Sequence, residues 1–255
     1  MSVSKCVLMT VVILCGVSVS RAQQKAGTLK LKPYTFENSK GEKTAAEFGT
    51  LLVPEKRSNP QSNLIELAFV RFKSTAANPG PPIVYLAGGP GGSGIGAATG
   101  PRFPLFMAFR DIADVIAFDQ RGTGYSKPNL GCYERLSAPL DVAPSREMAL
   151  KELRENAKAC MEYWRDIQRV DLSGYNSNES ADDLEDLRKA LGVPKISLWA
   201  ISYGTHLTFA TLRRHPQSIS RAMLAGTEGP DHTYKLPSNI QKHLEDLAAV
   251  IKADP

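Results

Sequence analysis

Short apolar runs recur along this chain, and most of them end in glycine or small polar residues. Residues 83–86 (Ile-Val-Tyr-Leu) lead into Gly88-Gly-Pro-Gly-Gly-Ser-Gly94, and residues 115–118 (Val-Ile-Ala-Phe) lead into Asp119-Gln-Arg-Gly-Thr-Gly-Tyr-Ser126. Residues 196–201 drive into Ser202, and a further run lies near 222–225. Such short runs fit strands buried on both faces of a sheet. Upstream, residues 47–54 and 64–72 read as two more strands, with Asn59-Pro60 as the turn between them. Between the later runs the period becomes helical. Residues 146–167 carry Leu150, Leu153, Ala157, Met161 and Trp164 along one face behind Ser145, a plausible N-cap. Residues 181–191 carry Leu184, Leu187 and Leu191 behind Ser180 and stop at Gly192, with Pro194 just beyond. A helix is also expected from Ser202 to about Arg214, and an amphipathic stretch carries Ile240, Leu244, Leu247 and Ile251. This alternation predicts an α/β fold, a mostly parallel sheet covered by helices on both faces.

The 255 residues supply ample core, with 42% hydrophobic and 22% charged. Lys5 precedes an apolar run from Cys6 to Val19, and Ser20-Arg21-Ala22 places small residues where a signal peptidase needs them. Residues 1–22 therefore read as a secretory signal cleaved after Ala22, too short for a stable membrane span. The mature protein is expected to be secreted or periplasmic. Residues 23–46 read as a polar leader, 47–228 as the core and 229–255 as a separate helical beginning. Cleavage removes Lys5 and Arg21 and lowers the formal charge from +5 to +3, which gives no footing for nucleic acid. It also removes Cys6 and Cys15. Cys132 and Cys160 remain, and in an exported protein a disulfide between them is expected. The four scattered histidines and the lack of a close Cys/His pair predict no metal site, and no cofactor motif is present.

Chemistry concentrates at the ends of the buried runs, where open α/β sheets place their ligands. Ser202 has Ala200 two residues before it and Gly204 two after. That is the layout of a nucleophile elbow, where strand turns sharply into helix and larger neighbours would collide. The loop at Gly88–Gly94 lacks the Lys-Ser/Thr ending of a phosphate loop. It suits a hydrolase better: backbone N–H groups can approach a substrate carbonyl and receive the oxyanion that develops in acyl transfer. Gly89 is the expected donor, partnered by the N–H of Tyr203. In the second loop Asp119 and Arg121 read as anchors, since an arginine stays protonated and cannot serve as a base.

Taken together, Ala87-Gly-Gly-Pro-Gly-Gly-Ser-Gly94, Asp119-Gln-Arg-Gly-Thr-Gly-Tyr-Ser126 and Ile201-Ser-Tyr-Gly-Thr205 resemble the prolyl iminopeptidase and tripeptidyl aminopeptidase group of α/β-hydrolases. Phe48-Gly-Thr-Leu-Leu-Val-Pro54, Asp182–Arg188 and Arg213-Arg-His-Pro216 fit the same pattern, so the resemblance spans about residues 47 to 255. It implies a serine peptidase acting at peptide amino termini with Ser202 as nucleophile. Ala87 stands where the group has histidine, and Ala200 where the elbow has glycine. A serine needs a histidine base and an acid to orient it. The histidines and later acids here (His206, His215, Asp231, His232, His243, Glu245, Asp246, Asp254) make no convincing pair. In the resembled group a helical cap follows Thr227-Glu-Gly-Pro230, and the acid and histidine follow the cap. They are expected beyond residue 255, so the chain is expected to be truncated at the start of that cap. The substrate is expected to be a peptide or a small ester or amide. An esterase or lipase on the same fold, or an inactive scaffold, stands as the alternative.

Overall fold

The computed structural model describes residues 25–132, 145–231 and 236–253. Its centre is a seven-stranded sheet of β1 (Leu29–Glu37), β2 (Lys43–Pro54), β3 (Leu64–Phe72), β4 (Gly80–Leu86), β5 (Ala113–Phe118), β6 (Ile196–Ile201) and β7 (Ile219–Ala225). Their order across the sheet is β1-β2-β3-β5-β4-β6-β7. The expected mostly parallel sheet is in fact mixed. β5, β4, β6 and β7 run parallel, whereas β1, β2, β3 and β5 pair antiparallel in succession. Residues 38–42 join β1 to β2 and residues 55–63 join β2 to β3, and links shorter than about a dozen residues permit a hairpin but no parallel crossover.

The leader expected over residues 23–46 contains β1, which pairs along its whole length with β2. Its alternation is masked because the apolar side changes phase around Pro33. Leu29 packs on one face of the sheet, whereas Phe36 is buried on the other. Proline and exposed lysines are tolerated because β1 lies at the sheet edge.

Helices cover both faces, as alternation in β4, β5 and β6 requires. On one face α4 (Ser177–Ala190) and α5 (Tyr203–Arg214) bury Leu184, Leu187 and Leu207 against Leu67, Val84, Ile116 and Leu198. On the other, α1 (Gly94–Thr99) and α2 (Phe103–Phe109) bury Ile95 and Phe106 against Tyr85, Val115 and Trp199. Neither short helix has a helical period long enough to read in sequence. The fully buried Phe106 ring lies 5.1 Å from Tyr85 and 4.9 Å from Trp199, and its burial stabilises the α2 contact by about 1.5–3 kcal/mol. α4 begins earlier than its expected Ser180 cap. Asn176 accepts from the N–H groups of Asn178 and Glu179, and Ser180 is buried inside the helix.

α3 (Arg146–Glu162) is capped by Ser145 and continues into a π-helical turn over Tyr163–Ile167. Cys160 in its last turn is bonded to Cys132, with Cα atoms 5.7 Å apart. Leu153 and Met161 on α3 are exposed, as are Ile240, Leu244 and Leu247 on α6 (Pro237–Ala253). Among the described residues, no helix is long and apolar enough to cross a membrane.

Candidate active site

The carboxyl ends of β4, β5, β6 and β7 lie side by side, and a loop leaves each one. At the end of β6 the backbone of Ser202 turns to φ +54°, ψ −125°, and α5 starts at the next residue. A side-chain-bearing residue rarely adopts this left-handed conformation, which costs on the order of 1–3 kcal/mol and must be enforced by its surroundings. Three hydrogen bonds enforce it. Ser202 N–H donates to the Ala225 carbonyl of β7 at 3.0 Å, and the Ser202 carbonyl accepts from Thr205 N–H at 2.8 Å and from Thr205 Oγ1 at 2.7 Å.

Sterics complete the turn. A Cβ on Gly204 would stand 2.3 Å from the Leu86 carbonyl oxygen, so only glycine lets α5 start against the end of β4. A Cβ on Gly88 would stand 2.8 Å from the Cβ of Ser202. The glycine loop therefore passes directly over the nucleophile, and Gly89 follows at φ +125°. Tyr203 supplies the first backbone N–H of α5, one of the groups that a helix leaves without an intrahelical acceptor. The Tyr203 hydroxyl lies 3.0 Å from Ser177 Oγ. Between the glycine loop, the second loop and Tyr203 opens a cavity of about 660 Å³, bordered by Pro90, Tyr125, Leu130, Tyr175 and Asn176.

Asp119 and Arg121 hold this arrangement from beneath. Asp119 is fully buried; Oδ1 accepts from Ser93 Oγ at 2.7 Å and Ile95 N–H at 3.0 Å, and Oδ2 from Tyr125 N–H at 2.7 Å. One carboxylate thus ties the glycine loop and the start of α1 to the second loop. Burial pushes its pKa up, against the opposing pull of these hydrogen bonds. Arg121 makes a two-point contact with Asp183, Nε to Oδ2 at 2.7 Å and Nη2 to Oδ1 at 2.6 Å. It also donates to the carbonyls of Glu55 and Gly174. Arg57 extends the network to Glu179, Asp183 and Asp186. Burial works to lower the Arg57 pKa, but these carboxylates outweigh it and raise it.

The Ser202 hydroxyl donates to Glu228 Oε1 at 3.0 Å. Glu228 is absent from the residues the sequence singles out, although Gly226-Thr-Glu-Gly229 follows β7 much as the other loops follow their strands. Its placement is firm: Glu228 N–H donates to Thr205 Oγ1 at 2.8 Å, the same hydroxyl that donates to the Ser202 carbonyl. Among the described residues no histidine is bonded to Ser202. His206 stacks on Tyr203 with Nδ1 3.5 Å from the Gly229 carbonyl, and His215 Nε2 lies 2.7 Å from Asp182. His243 sits on the exposed α6, where Glu245 and Asp246 pair with Gln241 and Lys242. Asp231 is exposed. His232 and Asp254 lie outside the described residues. No group of three or more His, Cys, Asp or Glu able to hold a metal occurs among the described residues.

A strand-to-helix elbow carrying a strained serine beneath a glycine loop defines a hydrolase of the α/β class. A family model described as the alpha/beta hydrolase fold matches residues 81–251, and the chain belongs to that family. Among its relatives, the "Serine protease Hip1" of Mycobacterium tuberculosis is 31% identical over 191 residues, covering 72% of this chain and 36% of that protein. The "Tripeptidyl aminopeptidase" of Streptomyces coelicolor is 30% identical over 200 residues, covering 71% of this chain and 35% of that protein. The chain thus spans about a third of the length of these curated relatives. The solved structure of Cfl2 from Burkholderia cenocepacia is similar at TM-score 0.45 and 19% identity, over 84% of this chain and 53% of that one.

Proposed function

We propose that this protein is an exported serine peptidase that releases residues from peptide amino termini through an acyl-enzyme at Ser202. The observation that carries the proposal is the Ser202 backbone at φ +54° between β6 and α5, with Gly88 packed over its side chain. Ser202 Oγ attacks the scissile carbonyl carbon. The carbonyl oxygen takes the negative charge and is received by the N–H groups of Tyr203 and Gly89. The hydroxyl proton passes to a base from outside the described residues and on to the leaving amine; water then cleaves the acyl-enzyme. The cavity beside Tyr203 is the place for one side of the substrate. Relatives named as a serine protease and a tripeptidyl aminopeptidase favour peptide over ester substrates. Residues 1–22 and the Cys132–Cys160 bond support export to an oxidising compartment.

A fluorophosphonate applied to the full-length gene product should label Ser202, and Ser202→Ala should abolish labelling. Turnover of aminoacyl or peptidyl arylamides is expected alongside. Turnover confined to short-chain esters would place the protein among esterases, and labelling that survives Ser202→Ala would remove Ser202 from the chemistry.

A further inference from the structure

We propose that a basic groove over β1, β2 and β3 binds acidic side chains in the leaving part of the peptide substrate, about four to seven residues beyond the scissile bond. The proposal rests on the protein being a peptidase that acts through Ser202, and it adds a substrate preference to that reading. The observation behind it is a groove of about 460 Å³ that gathers Lys30, Lys32 and Lys127 around Phe48. Tyr125 forms a wall of this groove and also borders the cavity beside Tyr203.

Strand register and one loop assemble the groove. Lys30 and Lys32 alternate along β1 and stand opposite Thr50 and Phe48 of β2, so the four share one face of the sheet. Lys127 joins them from the loop after β5. Its N–H donates to the Glu66 carbonyl of β3 at 2.7 Å, and its carbonyl accepts from Glu66 N–H at 2.9 Å. Tyr125 is held through its N–H on Asp119, and its ring meets Phe48 edge-on at 6.2 Å. Lys32 Nζ lies 5.0 Å from the centre of the Phe48 ring, which keeps that ammonium over the groove. Among the described residues none of the three lysines forms an ion pair, and Glu66 is the one carboxylate lining the groove. Positive charge is therefore in excess. Protection of a sheet edge accounts for lysines on β1, but not for Lys127 or the aromatic pair, which come from elsewhere.

Charge decides which end of the substrate lies here. A free amino terminus is positive and is repelled, whereas acidic residues on the leaving side are attracted. Distance decides which residues reach. Ser202 ends β6, and the order β6-β4-β5-β3-β2-β1 puts β3 three strand spacings away and β1 five. At about 4.8 Å per spacing the path is about 14–24 Å, which extended peptide covers in about four to seven residues. Tyr125 stands along that path with an exposed ring over which the chain can pass. An exposed ammonium contributes little by itself, so the preference is the sum of three and weakens with salt.

The test uses the full-length gene product and carboxyl-amidated peptides with one common amino-terminal part. Three of them carry glutamates, serines or lysines about four to seven residues beyond the scissile bond, and a fourth carries its glutamates next to that bond. At low salt kcat/KM for the distal-glutamate peptide should exceed that for the serine peptide by about 5- to 30-fold, mainly through KM, with the lysine peptide last. About 0.5 M salt should shrink the ratio. Combining Lys30→Glu, Lys32→Glu and Lys127→Glu should reverse the order in favour of the lysine peptide. A wild type indifferent to distal glutamates, an equal preference for glutamates next to the bond, or a combined variant that keeps the wild-type order overturns the proposal. Should the combined variant fail to fold, the wild type decides through its dependence on glutamate position and salt. Loss of binding to phosphatidylglycerol vesicles in the combined variant, with the peptide order unchanged, assigns the groove to membranes and also overturns it. If the wild type turns over none of the peptides, the peptidase reading is at fault, and the groove is then judged by binding. Anisotropy of the labelled peptides on Ser202→Ala should show the distal-glutamate peptide bound more tightly than the serine peptide; equal binding overturns the proposal.

Discussion

Two carboxylates stand just beyond the carboxyl ends of parallel strands, and they have opposite fates. Asp119 follows β5, is fully buried, and spends both oxygens on the N–H groups of Ile95 and Tyr125 and on the Ser93 hydroxyl. Glu228 follows β7, is half-buried, and turns Oε1 to the hydroxyl of Ser202. Strand-end position alone therefore does not mark a reactive acid. What separates the two is what they face: Asp119 faces the scaffold, whereas one oxygen of Glu228 faces the hydroxyl of Ser202.

The largest effect should come from the residue Glu228 faces. Ser202→Ala in the full-length gene product is expected to lower kcat/KM by about 10⁴-fold or more, with the fold retained. Ser202→Gly should be equally inactive and more stable by about 1 kcal/mol, since glycine adopts φ +54° without strain. Kinetics paired with denaturant midpoints checks both, and a destabilised Ser202→Gly would show that the elbow is not strained.

Stability separates the two carboxylates next. Asp119→Ala leaves the donors of Ser93, Ile95 and Tyr125 without their buried acceptor and is expected to cost about 3–5 kcal/mol. Glu228→Gln keeps the backbone bond to Thr205 and an acceptor for Ser202, and should cost less than Asp119→Ala. Urea unfolding of the two variants side by side measures the difference. Similar losses would erase the distinction between scaffold and site.

This contrast also shows what was legible in the sequence. The elbow was readable because its demands are local: a buried strand, small residues two positions either side of Ser202, then helix. The anchoring role of Arg121 followed from its fixed charge, but its partners Asp183 and Glu55 lie far away in sequence and needed the fold. Glu228 stayed hidden for the same reason. Its contact with Ser202 depends on β7 lying beside β6 with Ala225 opposite Ile201, a register no short pattern encodes. β1 was missed because its apolar side changes phase at Pro33, so neither half alternates for long.

The bond between Cys132 and Cys160 ties residue 132 to the last turn of α3, and it tests how far the scaffold reaches. It closes 28 residues of chain, for which constraint of the unfolded state predicts about 3–4 kcal/mol. Purified protein should show no free thiols before reduction, and Cys132→Ser with Cys160→Ser should lose roughly that stability. A double variant as stable as the wild type would show that the bond does not brace the fold.

The last expected effect comes from pH and adds a third carboxylate to the comparison. Hydrogen bonding by Arg188 lowers the pKa of Glu185 to about 2, with Lys189 adding to the pull, whereas burial raises that of Asp119. The signs are opposite. Glu185 holds its proton less tightly folded than unfolded, so its contribution is fully present above its ordinary value of 4.5 and is lost as pH falls toward about 2. Asp119 holds its proton more tightly when folded, so protonation favours the native state, and its contribution fades as pH rises through its raised pKa. Glu185→Gln should therefore cost about 1–2 kcal/mol at pH 7 and flatten the acid limb of stability below pH 4.5. Denaturant midpoints collected from pH 2.5 to 7 resolve that slope. An acid limb as steep in Glu185→Gln as in the wild type would assign it to other carboxylates.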